Sequence, residues 1–322
     1  MHKRFAILLL AAGALMTCAL APAQVYPNKP IRLVVPNPAG GNDVYIRAMM
    51  PKLVEILGQP IVIENRPGAS GAIGSENVAR SLPDGYSLLF CTSAQIVISP
   101  FLNKNLPYDT GKDFTPISML MQPVTAVTVN AALPVNNVRE LIAYAKSNPG
   151  KLSYGSSGRG SVPHLDGELF QSATGTDMLH VPYKGIAQIV PELVAGRIDL
   201  AFPPLGIAAP LLAAGKVKVL AVLDAVRHPR HPDIPSILDS LPGYRRAPLW
   251  FGLFGPAGLA RSVVERLHGA FAKAMETPEV RSNFESSYLR IIGSTPEEFA
   301  RSIKTDIALT AELAKSIGLK PE

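Results

Sequence analysis

Between residues 31 and 223, seven short runs rich in β-branched and apolar residues alternate with longer stretches that carry a helical pattern. The runs are IRLVVP, IVIENR, YSLLF, LSYGS, LHVPY, IDLAF and VKVLAVL. Such alternation predicts α/β layers with mostly parallel sheets. Asp43 is placed to cap a helix that ends before Gly58 and is kinked at Pro51, and Gly215 reads as the residue that closes a helix ahead of the strand at 217–223. Periodicity predicts further helices over Ser262–Met275 and Pro296–Ile317, and no internal repeat is evident.

Two long, extended, apolar stretches interrupt this pattern: MQPVTAVTVN at 121–130 and APLWFGLFGPAG at 247–258. Read as one crossing out and one crossing back, they make a second domain an insertion within the first. The expected division is a leader at 1–23, the first part of domain 1 at 24–122, domain 2 at 123–247 and the second part of domain 1 at 248–322. Two crossings of this kind form the hinge of a two-lobed clamp.

The leader reading rests on Lys3 and Arg4, an apolar run from Phe5 to Leu20, and Ala21-Pro22-Ala23 ahead of Gln24. This is a charged region, an apolar region and a small-residue cleavage site, with an apolar run short of the ~20 residues of a membrane span. The expectation is export to the periplasm with cleavage after Ala23. Cys18 raises lipidation as an alternative, against which Thr17 is a poor preceding residue.

Without residues 1–23 the basic count falls from 31 to 29 against 25 acidic residues, a net charge of +4. There is no basic run, and the single Trp250 and scattered tyrosines do not interleave with arginines, so nucleic acid is not an expected partner. A mild positive field suits small anions. Cys91 alone would remain, which excludes an intramolecular disulfide despite an oxidising destination.

The segment YGSSGRGSVPHL, Tyr154–Leu165, is a glycine- and serine-rich turn running into a helical pattern. It lacks the lysine of a phosphate-binding loop, the third glycine of a dinucleotide fingerprint and the flanking glycines of a nucleophile elbow. An anion cradle remains, with Ser161 as N-cap and Pro163 in the first turn; the alternative is a strand-to-helix turn that holds no ligand. His180, His228, His231 and His268 have no metal-ligand spacing, and no paired carboxylates or activated nucleophile emerge. No metal, cofactor or catalytic residue is therefore expected. A spatial triad is invisible in sequence, so an exported hydrolase stays as the enzyme alternative, and a ligand-sensing subunit of a membrane signalling system as a third class.

Several segments resemble the periplasmic solute receptors of tripartite tricarboxylate transporters, also called the Bug family. They are NRPGASGAIGSENVARSLPDGYSLLF (65–90), YGSSGRGSVPHLDGELF (154–170), HVPYKG (180–185), GKVKVLAV (215–222), PDIPSI (232–237) and WFGLFGPAG (250–258), in order along nearly the whole chain after the leader. The resemblance implies a type II periplasmic-binding-protein fold, two lobes each with a mostly parallel sheet flanked by helices. It also implies a monomer that binds a small carboxylate in the interlobe cleft, partly through ordered waters, and engages membrane transporter subunits transiently.

Carried onto this sequence, the resemblance places ligand contacts at Asn37, Ala39, Gly40, Gly41, Asn42 and Asp43 in the first loop, and at Ser93 and Ala94 after the third strand. From domain 2 it places Ser156, Gly158, Gly160 and Ser161 at the ligand's distal end. Asp43 is equally a helix cap. Three further candidates carry local alternatives: His164 can donate to a carboxylate or hydrogen-bond locally, Lys184 can attract anions or stand solvated, and Asp199 can serve as a backbone partner or meet a ligand amine. Sequence does not choose among an aromatic acid, a dicarboxylate, an amino acid or an uncharged mimic.

Overall fold

The computed structural model describes residues 26–40 and 42–318. The leader, its cleavage site, Cys18 and Gly41 lie outside the described residues. In chain order the first elements are β1 (Ile31–Val35), α1 (Asp43–Leu57), β2 (Ile61–Asn65), α2 (Ala72–Ala79), β3 (Ser87–Thr92) and β4 (Phe114–Pro123). The chain continues through β5 (Ala126–Asn130), α3 (Val138–Ser147), β6 (Ser153–Ser156), α4 (Val162–Thr174), β7 (Leu179–Pro182), α5 (Ile186–Val194), β8 (Leu200–Ala201), α6 (Leu205–Ala213) and β9 (Val217–Val222). It returns through β10 (Phe251–Pro256), α7 (Arg261–Glu276), α8 (Pro278–Ser286), β11 (Leu289–Ile291) and α9 (Pro296–Ser316).

These strands form two sheets flanked by helices. The six-stranded sheet has the order β11-β4-β10-β3-β1-β2 and the five-stranded sheet the order β7-β6-β8-β5-β9. β4 ends at Pro123 in the first sheet and β5 begins at Ala126 in the second, so only Val124 and Thr125 lie between them. The return runs from β9 to β10 over 223–250.

Both sheets are mixed rather than mostly parallel. β1 pairs in parallel with β2 and β3, and β6 with β7 and β8, whereas β10 runs antiparallel to both β3 and β4, and β5 antiparallel to β8 and β9. The reason is topological. β10, arriving from the other lobe, is inserted between β3 and β4, and β5, the strand by which the chain enters the second lobe, lies between β8 and β9; the direction of each is set by where the crossing enters, not by local composition.

Each sheet buries its apolar residues against its own helices. One core gathers Leu33, Phe90, Leu253 and Phe271, and another Val127, Tyr154, Phe170 and Phe202. Fully burying a side chain of this size contributes about 1.5–3 kcal/mol. A third cluster joins the lobes: Ala94 and Ile98 from the first meet Val162, Leu165 and Leu169 of α4, with Ala247 and Leu313 alongside.

Local signals behave as expected at Ser161, which accepts from the His164 N–H as N-cap of α4, and at Gly215, which follows the C-cap of α6. Asp43 differs. Asn42 holds the cap position without a side-chain cap bond, and Asp43 is the first helical residue, its buried carboxylate accepting from Arg47 Nε at 2.7 Å. Arg47, one turn along, sets a positive charge against that carboxylate in the i,i+4 register.

Candidate functional site

A cavity of about 550 Å³ opens between the two lobes, within the roughly 300–1,000 Å³ of small-molecule sites. It lies where such folds place ligands, beyond the carboxyl ends of the parallel strands. From the first lobe it is lined by the β1–α1 loop (Pro36–Ala39 and Asn42), the β2–α2 loop (Pro67–Gly71) and the end of β3 (Thr92, Ala94, Gln95). The second lobe supplies the β6–α4 loop with the start of α4, the segment Tyr183–Ala187, and Phe202 and Pro204 after β8. Pro123 and Thr125 of the outward crossing and Leu249 and Phe251 of the return complete it.

The N-cap residues of five helices line this one cavity: Asn42 of α1, Gly71 of α2, Ser161 of α4, Gly185 of α5 and Pro204 of α6. The first-turn N–H groups of a helix have no partner within it, and its dipole places about half a positive charge there. The cavity wall is otherwise nearly neutral. Asp166 is the only acid and Lys184 the only base among the described residues that line it. Chemically, this arrangement suits an anion, offering helix termini and polar loops without a dedicated arginine.

The β2–α2 loop owes its shape to an unusual backbone. Gly68, Ala69, Ser70 and Gly71 have φ of 130°, 45°, 54° and 96°, so two residues with side chains sit in the left-handed region. Gln95 holds the turn in place: its Nε2 donates to Ser70 O at 2.8 Å while its Oε1 accepts from the Thr92 N–H and hydroxyl. Ser70 Oγ in turn donates across the cleft to Arg159 O at 3.0 Å, linking the lobes.

The glycine-rich β6–α4 loop turns its donors inward. The Gly158 N–H donates to Ser156 Oγ at 3.1 Å, the Gly160 N–H to His164 Nδ1 at 3.1 Å, and the Ser161 N–H and hydroxyl both to Gly158 O. Ser156 Oγ also meets His180 Nε2 at 2.6 Å, and His180 lies against His164 with ring centroids 4.4 Å apart. Burial, followed by the charges of His180 and Arg159, pushes His164 down to about 4, so its ring is neutral and its Nδ1 lone pair is free to accept. Of the α4 first turn, Val162 and Pro163 line the cavity, Pro163 has no N–H to offer, and the His164 N–H is taken by Ser161.

Of the residues anticipated from sequence, Asn37, Ala39, Asn42, Ala94, Gly158, Ser161 and Lys184 line the cavity. Gly40 belongs to the same loop without reaching the wall, and Gly41 lies outside the described residues. Asp43, Ser93, Ser156, Gly160 and His164 are buried behind the wall. Ser93 Oγ donates to Pro248 O at 2.6 Å, tying the end of β3 to the return crossing. Asp199 stands away from the cavity, its Oδ2 accepting from the Ser153 N–H and hydroxyl, which is the backbone-partner alternative.

Sequence reasoning quoted the segments that hold the Pro67–Gly71 loop, Asp166 and Tyr183 as motifs but named none of them, nor Gln95, as a site residue. The loop carried a signal in its spelling PGASG, a turn that only glycine-flanked small residues tolerate. Asp166 carried one too. It lies four residues after Val162 and so shares its helix face, the face that the N-cap turns to the cleft.

Asp166 is fully buried, and its Oδ1 has no hydrogen-bond partner among the described residues. Its Oδ2 lies 3.4 Å from Arg246 Nη2, which also donates to Thr125 Oγ1 at 3.2 Å. Arg246 Nη1 is 3.6 Å from Asp224, and Asp224 is 3.5 Å from Arg290 on β11. This chain of alternating charges runs through the crossing from one lobe to the other. Burial pushes Asp166 up to about 6, against the lowering pull of Arg246. Among the described residues no group of three His, Cys, Asp or Glu side chains is placed to hold a metal ion, and no helix is long and apolar enough to cross a membrane.

A two-lobed α/β fold with an interlobe cleft ringed by helix N-termini defines a periplasmic binding protein. The family described as the tripartite tricarboxylate transporter family receptor matches residues 45–319, and the chain belongs to it. It is a receptor family of binding proteins, not enzymes. The chain is 35% identical over 297 residues to a UPF0065 protein of the tcbD–tcbE intergenic region of Pseudomonas sp. strain P51, covering 90% of this chain and 88% of that one. It superposes on R. palustris Rpa4515 with adipate at a TM-score of 0.88 and 33% identity, covering 92% of this chain and all of the other. MatC of Rhodopseudomonas palustris with bound malate superposes at 0.84 and 28% identity, covering 89% and 99%.

Proposed function

We propose that this protein captures a small carboxylate in the interlobe cleft and delivers it to the membrane subunits of a tripartite transporter. The observation that carries the reading is the convergence of five helix N-caps on one cavity. Each terminus favours a negative charge by about 0.3–1 kcal/mol, so a carboxylate held by several gains what no isolated terminus supplies. Adipate and malate in the structures of two relatives support the same class of ligand.

In this reading Asn37, Ala39, Asn42, Ala94, Gly158, Ser161 and Lys184 touch the ligand or its waters, and Gly40 and Gly41 shape the first loop. Asp43, Ser93, Ser156, Gly160, His164 and Asp199 hold the contacting loops in place. The lobes are 24–122 with 248–322, and 123–247, and they close about the two crossings. The protein is exported, loses residues 1–23, works as a monomer and meets its transporter subunits only transiently.

The test is a thermal-shift and calorimetric screen of the protein lacking residues 1–23 against adipate, malate, succinate, benzoate and glutamate. A ligand that binds only the native state raises the melting temperature. At least one of these acids should do so in a concentration-dependent way and be recovered unchanged. A melting temperature indifferent to all of them, or turnover of any, refutes the reading.

A further inference from the structure

Asp166 is out of place in a cavity built for an anion. Five helix termini offer positive potential, yet the inner end of the cleft, beside the crossing residue Thr125, presents a fully buried carboxylate with one oxygen unpartnered among the described residues. We propose that Asp166 Oδ1 is a receptor for a hydrogen-bond donor on the ligand, so that the cargo is a carboxylate whose other end carries an ammonium, hydroxyl or amide N–H and not a second carboxylate. The proposal rests on the carboxylate reading above and specifies the half of the ligand which that reading leaves open.

The argument is one of satisfaction and charge. A buried carboxylate oxygen left without a donor carries the full penalty of its lost hydration. Among the described residues nothing supplies that donor: Arg246 lies against Oδ2, its remaining Nη contacts go to Thr125 and Asp224, and its Nε, itself unpartnered, is not within hydrogen-bond distance of Oδ1. Asp166, Arg246, Asp224 and Arg290 already balance as two negative and two positive charges. The set therefore holds no spare cation for a second ligand carboxylate. Such a group would face Asp166 inside a low-dielectric cleft, where like charges repel strongly. A neutral or cationic donor instead completes the acceptor that the fold leaves open. Pro204, bridged to Thr125, borders the same end, and Lys184, the one base of the described wall, belongs to the β7–α5 segment.

Three carbon frames of different length and shape are each presented with four ends, at pH 7.5. They are butyrate, 4-hydroxybutyrate, 4-aminobutyrate and succinate; hexanoate, 6-hydroxyhexanoate, 6-aminohexanoate and adipate; and benzoate, 4-hydroxybenzoate, 4-(aminomethyl)benzoate and terephthalate. In the frame that binds best, a donor-ended member should bind the unmodified protein at least about tenfold more tightly than both the unsubstituted acid and the diacid, tenfold being 1.4 kcal/mol. Asp166→Asn, close to isosteric, should erase most of that preference while its circular dichroism stays native.

A diacid or unsubstituted acid that binds the unmodified protein as well as the donor-ended member overturns the proposal, whatever the variant does. An Asp166→Asn protein that folds and keeps the full preference overturns it as well. Absence of binding by all twelve probes and by malate and glutamate removes the carboxylate reading and this inference together, whereas a diacid or unsubstituted acid that binds as well as the donor-ended member removes this inference alone.

Discussion

The backbone N–H of Gly160 donates to Nδ1 of His164, 3.1 Å away and four residues along the chain. That bond fixes the sense of the whole β6–α4 loop. Glycines that from their spelling offer backbone donors to a ligand spend them on the protein, and the loop reaches the cavity through Gly158, Ser157 and the first residues of α4. His164 is thereby a framework residue, neutral because buried and useful because neutral.

Gly160→Val should cost stability before it costs affinity. At φ of 78° a β-branched residue is strained by roughly 1–2 kcal/mol, and a Cβ there would stand 2.5 Å from Leu102 Cδ1 of the other lobe. Leu102 is flexible at that end and can give, so the variant should fold. Urea denaturation should show a loss of roughly 1–2 kcal/mol. An unchanged midpoint would mean that the loop tolerates a different backbone conformation.

Two buried groups give stability opposite dependences on pH. His164 has a folded pKa of about 4, below its ordinary value, so the unfolded chain binds more protons and stability falls as pH drops from about 6.5 towards 4. Asp166, raised to about 6, holds its proton better when folded, so its contribution fades as pH rises from about 4 to 6. His164→Asn should therefore flatten the loss of stability on acidification and Asp166→Asn should steepen it. Urea titrations at pH 7, 6, 5 and 4 read both, and parallel curves for the three proteins would contradict the assignment.

Lys184 is exposed, lines the cavity and has no ion pair among the described residues. Lys184→Ala should weaken carboxylate binding about two- to fivefold at low salt, with the difference shrinking as salt rises. Calorimetry at 10 mM and 300 mM sodium chloride reads the difference; a loss independent of salt would place the ammonium in direct contact with the ligand.

The lobes touch across the mouth of the cleft through Ser70 and Arg159 and share the cluster of Ala94, Ile98, Val162 and Leu165. A ligand bridging them favours closure by its differential affinity for the closed form. Solution scattering should show a smaller radius of gyration at saturation with a carboxylate that binds. An equal radius with and without ligand would describe lobes locked by that apolar cluster.

Sequence by itself determined what is local. The strand at Ile31–Val35 followed from an apolar, mostly β-branched run broken only by Arg32, the start of α4 from a serine ahead of a proline, and the helices at 261–276 and 296–316 from periodicity, because each depends on forces acting within a few residues. The order of motifs sufficed to indicate the family. Tertiary structure decided what depends on which segments meet. β10 is antiparallel because of where the crossing re-enters the sheet, Asp43 as first helical residue pairs with Arg47, and the Gly160 N–H is answered by a histidine one turn on. Asp166 is the plainest case. Its spelling within HLDGELF says only that an acid occupies a helix; its lone oxygen at the inner end of a cavity exists because α4 packs against the crossing that carries Thr125 and Arg246. Burial and the absence of a partner are properties of a site assembled from segments some forty and eighty residues away, and no local window contains them.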